Sequence, residues 1–228
     1  MCRSKCICAT VIAVLISAAT ASNALAVGLP AMVNIKMPQA IAGVGVGIAE
    51  LQVLSGFNVR CQEQELEASA TGENTGTFHL IFKNCKASSP AVACTGKDGT
   101  MADSSTVILS LGTFKIVHDV TETGSTYAIL LALSPTTEFE CTALAKIKIT
   151  GTVLCLISEP TVEKASHSFS CGNNKTVGDP QETKFWYEMK EGTASLLTSL
   201  NGAAQESSVA VATVTFVTTG SSKTVVIN

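Results

Sequence analysis

Aromatic residues are scarce in this chain, at 5%, with a single tryptophan and two tyrosines. A core built from it has to pack mainly through Val, Ile, Leu and Ala. Charge is also thin, 14% of 228 residues, and only two arginines occur, Arg3 and Arg60. With a net charge of −3, the chain lacks the basic surface that nucleic-acid binding requires. Outside the N-terminal segment no apolar run approaches the roughly 20 residues of a membrane-crossing helix. At 46% hydrophobic the composition is far from that of a disordered chain. Catalytic signatures are missing as well. There is no G-x-S-x-G elbow, no H-E-x-x-H helix motif and no G-K-[ST] phosphate loop. The run Gly43, Gly45, Gly47 alternates with valine but lacks the G-x-G-x-x-G spacing of a dinucleotide site. It reads as an apolar lead-in or a glycine-rich strand.

What is present begins with an export signal. Arg3 and Lys5 precede an apolar stretch from Ile7 to Ala21, and Ala24-Leu25-Ala26 supplies small residues at a cleavage site. These parts read as a secretory signal peptide over residues 1–26. A lead-in over 27–50 and one β domain over 51–228 complete the expected organisation. Cleavage after Ala26 removes Cys2, Cys6 and Cys8 and leaves Cys61, Cys85, Cys94, Cys141, Cys155 and Cys171. An even number of cysteines in an exported chain reads as disulfides, because that compartment is oxidising.

Beyond residue 50 the hydrophobic period is two. Leu51, Val53, Phe57, Val59 and Cys61 share one parity, and Phe78, Leu80 and Phe82 share another. Val107, Leu109 and Leu111 predict a face that slips at Gly112 to Phe114 and Ile116. Tyr127, Ile129, Leu131 and Leu133 make the next face. From Phe139 to Ile157 the odd positions are apolar or small, while Glu140, Lys146 and Lys148 fall between them. Val209 to Val217 is apolar on both faces apart from threonines. Leu196, Leu197 and Leu200 could be helix or strand. About ten short strands with Gly, Asn, Asp and Ser between them predict an all-β fold, an antiparallel β-sandwich or partly closed barrel. Cys141 and Cys155 would lie about 46 Å apart on one extended strand, and a hairpin at Thr150-Gly151 would not bring them opposite either. This favours Cys61–Cys141 and Cys155–Cys171, with Cys85–Cys94 closing a turn around Ser88-Ser89-Pro90.

The candidates for chemistry are few. His79 has outward parity, and nothing near His118-Asp119 marks a nucleophile. His167 and Cys171 have a possible ligand spacing, but zinc sites pair short spacings such as C-x-x-C, absent after residue 26. Glu138 and Glu140 share a strand face, as a glycosidase pair would and as a solvated face does. Glu63, Glu65 and Glu67 likewise share a face without a calcium-loop pattern. Asn174-Lys175-Thr176 is a glycosylation sequon. No cofactor is expected. Parity places Phe185, Tyr187 and Met189 toward a core and Trp186 outward. Trp186, with Tyr187, is therefore the candidate contact for a ligand such as a sugar.

The run Gly76-Thr77-Phe78-His79-Leu80-Ile81-Phe82-Lys83-Asn84-Cys85 is followed by Cys94. Phe139-Glu140-Cys141 leads into Ile147-Lys148-Ile149-Thr150-Gly151-Thr152-Val153. With the later Phe216 strand, these motifs resemble a family of secreted actinobacterial all-β proteins of unknown function. The resemblance covers roughly residues 55–217. It implies export and an all-β fold, and it implies that Cys155 and Cys171 are additions to a four-cysteine set. It carries no activity. The expectation is a secreted or cell-envelope structural or binding protein, not an enzyme, with an extracellular or cell-wall partner. A carbohydrate-binding module and a hydrolase with a dispersed site are the alternatives.

Overall fold

The computed structural model describes residues 31–33, 37–96, 107–121, 124–172, 183–187, 190–219 and 226–227. The expected signal peptide, the sequon and Met189 lie outside these. Among the described residues there are sixteen strands and no helix. They are β1 (Met32–Val33), β2 (Gln39–Gly45), β3 (Ala49–Val53), β4 (Asn58–Gly72) and β5 (Thr75–Ala87). Then come β6 (Cys94–Gly96), β7 (Val107–Thr121), β8 (Gly124–Leu133), β9 (Thr137–Cys141), β10 (Ala145–Ser158) and β11 (Ser166–Cys171). The chain continues through β12 (Thr183–Tyr187), β13 (Lys190–Ala194), β14 (Leu196–Leu200), β15 (Glu206–Thr219) and β16 (Val226–Ile227).

Every pairing is antiparallel, and the hydrogen-bonded path closes on itself. It runs β4, β5, β7, β8, β10, β11, β15 and β2, and β2 returns to β4. Two positions in this ring are shared. β3 follows β2 between β15 and β4, and β14 takes the place of β11 at the other end of β10. Closure satisfies backbone groups that an open sheet would leave at its edges. Gly43 and Gly45 therefore lie in a strand of the ring, with Gly47 just beyond it at φ of 83°, and the ring takes up residues before 51.

The inward residues are mostly aliphatic, with phenylalanines 78, 114, 169 and 216 clustered among them. Odd positions from Phe139 to Ile157 are buried inward as expected, apart from Ala143, exposed in the turn, and half-buried Gly151, because β9 and β10 form a hairpin whose three-residue turn preserves parity. One phase reading is corrected. β7 keeps even positions inward throughout, from Ile108 and Ser110 to Phe114 and Ile116, so nothing slips at Gly112. That glycine faces the interior, where a Cβ would lie 2.0 Å from the Ala132 carbonyl oxygen and 2.9 Å from Cε1 of Phe78. The real phase change is at Asn84, whose φ of 54° moves the inward positions of β5 from Phe82 to Cys85. Asparagine tolerates that left-handed conformation better than most residues.

Strand β8 is apolar on both faces, so Ala128 and Leu130 point out of the ring. They are not left wet. With Val117, Leu154 and Ala194 they form a second buried cluster, covered by Phe185 and Tyr187 of the β12–β13 hairpin. β12 attaches to the free end of β7 through Phe185 and Trp186.

Gly112→Ala is expected to destabilise the protein by about 2 kcal/mol or more, since the added methyl meets backbone rather than a movable side chain. Urea unfolding followed by circular dichroism would show the lowered midpoint.

Candidate functional site

All six cysteines of the β domain are bonded: Cys61–Cys85, Cys94–Cys141 and Cys155–Cys171. Each bridge joins two directly opposed residues of adjacent strands. Their Cα separations are 4.0, 3.9 and 4.1 Å, near the closer of the two pair spacings in an antiparallel ladder. Cys155–Cys171 is the pairing expected from sequence. The other two are corrections: Cys85 takes Cys61 rather than Cys94, and Cys94 takes Cys141. The reason is local register. β4 and β5 form a hairpin about Glu73 and Asn74, and a one-residue register shift between Ala70 and Gly72 then sets Cys61 opposite Cys85. The Gly72-Glu73-Asn74 turn signal was present in the chain. The Ser88–Pro90 segment does not fold Cys94 back onto Cys85, because β6 pairs with β9 instead.

The remaining candidates separate in space. Cys171 is committed to its disulfide, and His167 is buried beside Phe216, ring centroids 5.9 Å apart. Among the described residues no group of three or more His, Cys, Asp or Glu could hold a metal. His118 packs against Tyr127 at 5.1 Å, while Asp119, next on the strand, is directed to the opposite face. His79 is exposed. Glu138 and Glu140 lie opposite Lys148 and Lys146, with Lys148 Nζ 3.5 Å from Glu138. Lys83 pairs with Glu65 at 2.5 Å, and the Asn84 amide donates to Glu63 at 3.0 Å. These carboxylates belong to charged ladders on the outer surface.

Tyr187 is half-buried on the second apolar cluster, and Lys115 Nζ stands 4.6 Å from its ring centroid. Phe185 and Tyr187 thus face a core, as parity indicates, but one outside the ring. Trp186 sits in β12 opposite Glu191 and His118, and its side chain lies outside the described residues. Beside it on the hairpin, the Glu191 carboxylate accepts a hydrogen bond from Lys184, whose pKa is raised by that bond and by the opposite charge.

Sequence reading did not anticipate a cavity inside the ring. It has a volume of about 100 Å³. Its cause is a set of small side chains, Ala49, Ser110, Ala210 and Ala212, among lining residues that are otherwise mostly Leu, Ile, Val and Phe. Their common location depends on strand neighbours far apart in sequence. β9 lies across this part of the ring, and Thr137 donates a hydrogen bond to Ser110 at 2.9 Å.

No protein family, curated protein or solved structure matches the chain.

Removing each disulfide by a double Cys→Ala change should cost in the order of the loop it closes. Separations of 47, 24 and 16 residues translate into about 4, 3.5 and 3 kcal/mol from chain entropy. Denaturant unfolding of the three variants would check the ranking, with loss of Cys94–Cys141 the most severe.

Proposed function

We propose that this is a secreted or cell-envelope protein that works by binding or by structural support, without catalysis of its own. The observation that carries the reading is the set of three buried cross-strand disulfides. Intramolecular disulfides of this kind are typical of extracellular proteins, where thiols are not kept reduced. The N-terminal charge, apolar run and Ala24-Leu25-Ala26 agree with that compartment. The acidic, arginine-poor composition favours an extracellular or cell-wall partner over nucleic acid. The carbohydrate alternative is weakened, since Tyr187 is engaged by the second core and by Lys115. It would rest on Trp186 alone.

Intact-mass measurement of the exported protein tests this reading. The expected product begins at Val27, weighs about six hydrogens less than its fully reduced form and takes up no alkylating reagent until reduced. Free thiols in the exported protein, or a protein retained in the cytoplasm, would overturn it.

A further inference from the structure

We infer that the interior cavity is a binding site for the hydrocarbon part of an amphiphile. This deepens the binding-protein reading and rests on it. The cavity lies among Leu80, Ile108, Leu131, Phe139, Ile149 and Val153, all apolar. The two hydroxyls at its wall, Ser110 and Thr137, are hydrogen-bonded to each other. A water molecule needs two to four polar partners to settle in a buried space, whereas apolar cavities of this scale stay dry and accept hydrocarbon. Access is written in the burial pattern. Leu51, Phe82 and Leu133 line the cavity yet are only half-buried, so this end of the ring meets solvent. A head group would remain in the solvent there, since the one charged residue of the lining, Glu50, is already paired with Arg60 at 3.3 Å. At the inner end Leu131 also borders a second apolar space of about 30 Å³, beside Phe78 and Phe114. Leu131 therefore limits how far a chain can enter, and an unbranched chain end fits this shape better than a bulky ring system.

The test uses the mature, oxidised protein titrated calorimetrically with sodium octanoate, dodecanoate and hexadecanoate, and separately with phosphatidylglycerol vesicles. Octanoate is expected to bind saturably at one per chain, because a space of about 100 Å³ takes only the last few carbons of a chain, and dodecanoate is expected to bind no more tightly. Ala210→Leu, which fills the cavity, should weaken octanoate binding at least tenfold without lowering the melting temperature, and Ala212→Val should act the same way more mildly. Val44→Thr, on the exposed outer face, should change neither. Uptake of free octanoate alone assigns a free chain, and extraction of phospholipid from the vesicles assigns a lipid tail; both support the site. If no chain length binds and Ala210→Leu merely raises the melting temperature, the cavity is a packing void and the inference falls. Binding that survives both filling substitutions places the ligand elsewhere and also overturns it. Free thiols in the mass measurement would remove the extracellular reading, while this titration still reports on the cavity.

Discussion

The backbone pairing of β10 is the constraint on which the architecture depends. Its first half is hydrogen-bonded to β9 and β14, and its second half to β8 and β11. One strand thus closes the ring and also carries the strands that cross its end. The exchange of partners is centred on Gly151, with φ of 104°, where a Cβ would lie 2.1 Å from the Ser195 carbonyl oxygen. Only glycine combines that conformation with so close a backbone approach. The position reads in sequence as a turn, but the strand runs on through it.

The disulfides reinforce this arrangement at the places where pairing alone is weakest. Cys155–Cys171 ties β10 to β11 beside the change of partners. Cys94–Cys141 holds β6, a strand of three residues, against β9. Cys61–Cys85 sits at the kink that Asn84 introduces into β5. A chain with so few aromatic residues buries less area per side chain than most, and cross-links that restrict the unfolded chain compensate for a core of modest side chains.

Inside and outside of the ring are less distinct than simple alternation implies. Leu130 and Leu154 point outward but are buried, because the β12–β13 hairpin lies over them. Ala210 and Ala212 point inward but leave space, because their own side chains are too small to fill it. A hydrophobic pattern records which residues avoid water. It does not record whether the shelter is the main core, a satellite cluster or a cavity wall. The same ambiguity affects Phe185 and Tyr187, whose parity is legible and whose destination is not.

The two-residue period, the paucity of helical patterning and the even cysteine count of the β domain determined from sequence alone that this is a disulfide-bonded, antiparallel all-β protein. Cys155 with Cys171 was legible too, once Cys155 was excluded as a partner of Cys141. Tertiary structure decided the rest. Ring closure, the partners of Cys61 and Cys94, the incorporation of β2 and the cavity all arise from which strands become neighbours. Strand neighbours are chosen by backbone hydrogen bonds, which are chemically the same at every residue but proline. Alternation specifies the face a side chain occupies, and only the assembled ladder specifies what stands across from it.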